Sequence, residues 1–195
     1  MTAPRGWIRQ WTCGLVAVTV LAAGVASGAD IDPVASHIGF TLKTRWGQSL
    51  QGRFPEARGE VVELPDGRHQ VRLQLAARSV EIVNHASYTR LTRGTGFFDV
   101  DRYPLVEFVS DVYSPELLRS GGPLSGTLTI RNVHHREIFT ITPAACAQPA
   151  RACDVVASGS IHRGDYGMDR WNFALSDRVL FLLRVRVRES AGSAP

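Results

Sequence analysis

Beyond Asp30 the apolar residues fall at every second position in short runs, and clusters of Gly, Pro and Asp separate the runs. Ile38, Phe40 and Leu42 alternate with Gly39, Thr41 and Lys43, and Val71, Leu73 and Leu75 alternate with Arg72 and Gln74. A period of two turns every apolar side chain of a run to one face, which predicts strands with one dry and one wet side. The pattern recurs over 105–110, 124–131, 137–142, 155–161 and 179–188, and more weakly over 59–64. In the last run Arg184, Arg186 and Arg188 alternate with Leu183, Val185 and Val187, so these arginines read as a solvated outer face. Between Ser79 and Pro104 the alternation stops. Residues 84–92 there predict a short helix or loop ending at Arg93-Gly94. Phe97 and Phe98 would face opposite ways in a strand, which predicts irregular backbone at 96–99, capping one end of the fold.

About eight strands without recurring strand-helix-strand units predict an all-β fold, either a sandwich or a closed antiparallel barrel, and closure is preferred because it removes exposed edges. A barrel of that size is either filled by its own side chains or opened into a cavity for one small ligand.

The segment ahead of the strands has a different order. Arg5 and Arg9 precede an uncharged, apolar run from Gly14 to Val25, and Ser27-Gly28-Ala29 leads to the first acid, Asp30. Positive, apolar and small, in that order, predict a signal peptide over 1–29, cleaved before Asp30 on export. The apolar run is about 12 residues, short of the roughly 20 that a spanning helix needs. Its removal takes away two of the 22 basic residues and none of the 18 acids, so the mature chain is close to charge balance, unlike a nucleic-acid binder. What remains, 30–195, is the length of one domain. Cys13 leaves with the signal. Cys146 and Cys153 then form an even pair in an oxidising compartment, which predicts a disulfide closing a short Pro/Ala-rich loop. A metal site would want further ligands, and a redox pair usually reads Cys-x-x-Cys.

Several stretches, spread in order over the mature chain, carry a resemblance. They are Ile31-Asp32-Pro33 with Ser36-His37-Ile38-Gly39-Phe40, Gln51-Gly52-Arg53-Phe54, Ala77-Arg78-Ser79-Val80, Gly96-Phe97-Phe98-Asp99-Val100 through Arg102-Tyr103-Pro104 to Val106-Glu107-Phe108, Leu124-Ser125-Gly126-Thr127-Leu128-Thr129-Ile130-Arg131, and the set Arg163, Asp165, Tyr166, Gly167 and Met168. Together they resemble the YceI-like, polyisoprenoid-binding, lipocalin-like family. The resemblance implies an extended eight-stranded antiparallel barrel with a short associated helix over 30–195. It also implies export to the bacterial periplasm and a polyisoprenoid or similar amphiphile held lengthwise inside. The chain departs from the family where Asn132 replaces a usual glycine, at His134-His135, and in the insert carrying the two cysteines.

A lipid tail asks little of a sequence: each buried methylene contributes ~0.8 kcal/mol, and an apolar tunnel suffices. The candidates for its wall are Phe40, Leu42, Leu73, Leu75, Phe97, Phe98, Phe108 and Phe139, each of which would serve equally as ordinary core. His37, Arg163 and Asp165 are the polar candidates for orienting a head group. The planar fork of Arg163 suits phosphate or carboxylate, and a mutual salt bridge between Arg163 and Asp165 is the competing reading. His134 and His135 read as surface turn residues. No Gly-x-Ser-x-Gly, His-Glu-x-x-His, phosphate loop or Cys-x-x-Cys occurs. These observations point to a non-enzymatic periplasmic binder that sequesters or carries a lipid, with no cofactor. The alternatives are a redox, metal or quinone-associated accessory protein and a broad scavenger of hydrophobic compounds. The expected partner is a hydrophobic small molecule, with no nucleic acid and no membrane-spanning segment after cleavage; whether two copies pair is left open.

Overall fold

The alternating runs become strands whose apolar positions all turn inward: in β2 (His37–Thr44), Ile38, Phe40 and Leu42 are buried while His37 and Lys43 are exposed. The structure, a computed structural model, describes residues 28–189; the expected signal peptide lies, apart from Gly28 and Ala29, outside the described residues. Before β2 comes β1 (Gly28–Ile31), and after it β3 (Ser49–Arg53), β4 (Ala57–Glu63), β5 (His69–Ala76) and the two-residue β6 (Glu81–Ile82). Helix α1 (Ala86–Arg93), strand β7 (Leu105–Ser110) and helix α2 (Glu116–Ser120) follow. The chain then runs through β8 (Gly122–Ile130), β9 (Val133–Ile141), β10 (Val155–His162), β11 (Leu175–Val185) and β12 (Val187–Glu189). Among the described residues no helix is long and apolar enough to cross a membrane.

All twelve strands lie in one antiparallel sheet, ordered β12-β1-β4-β5-β7-β8-β9-β10-β11-β2-β3-β6. The sheet curls round on itself, because β11 pairs with β2 while its continuation beyond Arg186, β12, pairs with β1. Three long strands are each broken once: β1 from β2 by residues 32–36, β3 from β4 by 54–56, and β11 from β12 by Arg186. Leaving aside β6, each broken pair counts as one strand of the ring. This is how the expected eight strands become twelve. At the first break the Asp32 carboxylate accepts from the Val34 and Ala35 N–H groups, at 2.8 and 3.1 Å, and so holds the turn between β1 and β2.

One seam is loose. β9 and β10 share only the pairs Ile141 with Ala157 and Thr140 with Ser158. A turn of 3-10 helix, Arg163–Tyr166, fills the gap where they part. Tyr166 donates to Glu137 at 2.8 Å, and a ring nitrogen of His135 lies 3.0 Å from the Asp165 carbonyl oxygen.

Some expectations need correction. β9 begins at Val133, four residues before the predicted start, so His134 and His135 stand in a strand and face opposite sides. The polar residues His135 and Glu137 occupy inward positions there and break the apolar alternation. The turn is Arg131-Asn132, both left-handed with φ of 53° and 59°, as a two-residue hairpin of type I′ requires; asparagine tolerates this region and so stands in for glycine. β1, β3, β6 and α2 lie outside the predicted elements. In β3 the inward position opposite Phe40 is Gly52, which leaves room for the ring and erases the apolar signal. Residues 96–99 are irregular as expected, with Asp99 at φ 49° and both phenylalanines buried. Cys146 and Cys153 are bridged, with Cα atoms 6.1 Å apart.

Candidate functional site

Inside the curled sheet lie two apolar cavities, of about 220 and 370 Å³. The smaller opens toward the end formed by β1, β12, α2 and the disulfide loop. Pro149, Ala150 and Arg151, between the two cysteines, form part of its wall, and the Val187 N–H donates to the Ala150 carbonyl at 2.9 Å. The larger opens toward α1, the β2–β3 hairpin and residues 168–175. Phe181 lines both. Its ring lies 5.9 Å from that of Phe40 and 6.5 Å from that of Phe139, and Phe139 meets Phe108 edge to face at 5.1 Å. These four rings form an aromatic waist between the chambers. The waist needs glycines behind it. A Cβ at Gly126 would come within 2.5 Å of the Phe108 ring, and one at Gly159 within 2.7 Å of the Phe139 ring.

The structure distributes the anticipated wall residues between the chambers. Leu73, Leu75, Phe108 and Phe139 face the smaller; Phe40, Leu42, Phe97 and Phe98 face the larger. His37 does not join them, because it occupies an outward position of β2 and is exposed. Asp165 is also exposed and turned away. The expected alternative for it, a salt bridge with Arg163, does not form.

Arg163 is 1% exposed, on the wall of the larger cavity. Its Nε donates to the Ser176 carbonyl at 3.0 Å, one terminal nitrogen to the carbonyls of Met168 and Arg170, and the other to Asn172 Oδ1. The guanidinium carbon stands 5.9 Å from the centre of the Phe97 ring. Four of its five N–H groups thus hold the 168–176 segment in place. Burial pulls its proton affinity below the usual arginine value, against the opposing fields of Asp177 and Asp169. None of its hydrogen-bond partners carries a full negative charge, so the larger cavity has a cationic spot in an otherwise apolar wall.

The smaller cavity takes its polar lining from Glu63, His69, Arg151 and Tyr113, and burial pushes the Tyr113 pKa up to about 12, so it is a neutral phenol at ordinary pH. Burial, reinforced by Glu137, also pushes Tyr166 upward. Among the described residues no group of three or more His, Cys, Asp or Glu side chains could hold a metal ion. His134 bonds Thr129 at 2.8 Å on the outer face, whereas His135 packs on Tyr166 with ring centres 5.0 Å apart.

Sequence reasoning missed several wall residues. Phe181 was legible in principle, since Val179, Phe181 and Leu183 alternate. Trp46, Trp171, Phe173 and Met168 sit on turns, where no period marks which way a side chain points.

Residues 30–187 match the family model of the YceI-like domain. Among solved structures, Burkholderia cenocepacia BcnA is 18% identical, with 80% of this chain and 98% of that one covered at a TM-score of 0.65. A polyisoprenoid binding domain from Saccharophagus degradans, implicated in plant cell wall breakdown, is 13% identical over 85% of this chain and 99% of that one, at 0.63. The Campylobacter jejuni YCEI protein is 19% identical over 71% and 85%, at 0.56. No curated protein is matched by the chain.

Proposed function

The chain belongs to the YceI-like family, and from that premise we propose that it binds a long apolar amphiphile, a polyisoprenoid or similar lipid, lengthwise through both chambers. It sequesters or carries this cargo in the periplasm and does no chemistry on it. The observation that carries this reading is the pair of apolar cavities meeting at Phe181 within one curled sheet. Taken together they fall in the range of ~300–1000 Å³ usual for small-molecule sites. The polyisoprenoid-binding domain of Saccharophagus degradans, alike in fold, supports the cargo class. Arg163 supports an anionic or electron-rich head group in the larger chamber, since a buried cation held by neutral oxygens gains from a negative neighbour. The leader-like order of residues 1–29 and the bridged cysteines support an extracytoplasmic address.

The test is native mass spectrometry of protein produced with its leader in a Gram-negative host and purified without detergent. The expected result is a bound lipid, or uptake of a polyprenyl alcohol or polyprenyl phosphate by the emptied protein, with Asp30 as N-terminal residue in the periplasmic fraction. Protein that arrives empty and takes up neither probe would overturn the cargo assignment; retention in the cytoplasm with residues 1–29 intact would overturn the address.

A further inference from the structure

Ten large apolar side chains stand exposed among the described residues, and their placement is uneven. Trp46 (75% exposed), Phe173 (74%), Leu91 (49%), Tyr88 (44%) and Trp171 (40%) all border the larger cavity. None of the ten borders the smaller one. The five come from three separate segments: the β2–β3 hairpin, α1 and the 168–175 loop. They form a rim around one mouth.

The rim is held in position. Trp171 has φ of 67°, a left-handed backbone that is costly for so large a residue. The groups on either side of it, the Arg170 carbonyl and the Asn172 side chain, are both gripped by Arg163, and Arg45 Nε donates to the Asn172 carbonyl at 3.2 Å. The ring of Trp171 lies 5.5 Å from that of Phe173 at the mouth of the larger cavity. The charge of the rim is one-sided as well. Within these three segments Arg45, Arg90, Arg93 and Arg170 stand against the single acid Asp169; Arg45 and Arg170 adjoin the two rim tryptophans, while Arg90 and Arg93 lie on the side of α1 that faces Glu81.

We propose that this mouth docks on the surface of an anionic lipid bilayer, with the aromatic rim in the head-group layer. The proposal deepens the lipid-carrier reading, since it assigns the face through which cargo would be exchanged. Trp and Tyr settle at the membrane interface, where an apolar ring and a polar edge are both satisfied. Arginines around them add attraction to anionic lipids. A second copy of this chain fits less well, because a two-fold contact would set one cationic rim against another. Docking here also places the apolar cavity against the hydrocarbon, so a lipid tail could pass between the two without crossing water.

The experiment uses the processed protein recovered from the periplasmic fraction, which lacks the apolar leader that would itself bind lipid. Co-sedimentation is measured with vesicles of phosphatidylcholine alone and of phosphatidylcholine with phosphatidylglycerol. Expected are binding to the anionic vesicles and weakening of at least about tenfold in both the Trp46→Ser/Phe173→Ser and the Arg45→Gln/Arg90→Gln variants. The control Leu180→Ser/Leu182→Ser removes exposed apolar residues that line neither cavity and should bind as before. Cavity loading is followed separately, without vesicles, by fluorescence of 1-anilinonaphthalene-8-sulfonate. In the arginine variant this signal should persist, which separates failure of docking from failure of the cavity. Absence of vesicle binding in the parent chain, equal binding to neutral vesicles, or unchanged binding in the rim variants would each overturn the proposal. So would a dimer in sedimentation velocity that the rim variants abolish.

Discussion

Phe181 and Phe40 lie with ring centres 5.9 Å apart where the two cavities meet. Both belong to the inward face of paired strands, directly opposite each other in the β11–β2 register. Their contact therefore narrows the passage that a cargo spanning both chambers has to thread. Phe181→Ala should widen that passage. It should cost about 3–5 kcal/mol in urea denaturation, as phenylalanine truncations in cores do. Among polyprenyl alcohols of increasing length, the variant should favour longer ones than the parent protein does. An unchanged length preference, measured by native mass spectrometry, would show that the waist does not set it.

Arg163 grips the wall of the larger cavity through carbonyls on both sides of Trp171. Lysine has one compact donor group and no planar fork, so it cannot reach Met168, Arg170, Asn172 and Ser176 together. Arg163→Lys should lower stability by about 2–4 kcal/mol, the scale for losing one or two hydrogen bonds to a charged group. A solvent-type shift of tryptophan fluorescence at the 168–176 segment should accompany the loss.

Much of this fold could be read from period-two alternation, because a strand with one buried face repeats its pattern over several residues. Where an inward position is filled by glycine or a polar residue, the signal failed: Gly52 makes space for Phe40, and His135 and Glu137 face the 3-10 turn. The site was legible in part for the same reason. Phe40, Leu73, Leu75, Phe108 and Phe139 are inward strand residues, and their phase gave their direction. The sequence cannot show whether such residues touch each other or surround a void, since that depends on the curvature of the sheet. His37 lies in a stretch matching the family and so suggests a head-group contact, yet it precedes Ile38 by one position and so faces outward. Trp46, Trp171 and Phe173 sit in turns whose shape is set by contacts with distant residues, and local pattern carries no trace of them.

The disulfide lies on the loop that covers the smaller cavity. Replacing Cys146 and Cys153 by serine removes a bridge between residues seven apart in sequence. The chain-entropy estimate for so short a loop is about 2.5 kcal/mol. The further expectation is local: the loop's bond from Val187 N–H to the Ala150 carbonyl should open more often. Hydrogen exchange at Val187 should quicken in the double variant while exchange in β7 and β8 is little changed.

Asp177 links the start of β11 to the 3-10 turn. Its carboxylate accepts from the Gly164 N–H at 2.8 Å and lies 2.9 Å from His162 Nδ1. Partial burial alone would raise its pKa, but these two hydrogen bonds, with the fields of His162 and Arg163, bring it below the ordinary 3.8. A carboxyl with a depressed folded pKa contributes stability that is complete above the unfolded value and is lost as pH falls through the folded one. Asp177→Asn should therefore melt below the parent protein near pH 7, and the gap should narrow below about pH 3.8 as the aspartate takes up its proton. Thermal unfolding midpoints of both proteins between about pH 2.5 and 7 provide the check. A gap that stayed constant with pH would show that the Gly164 and His162 contacts do not depend on the carboxylate charge.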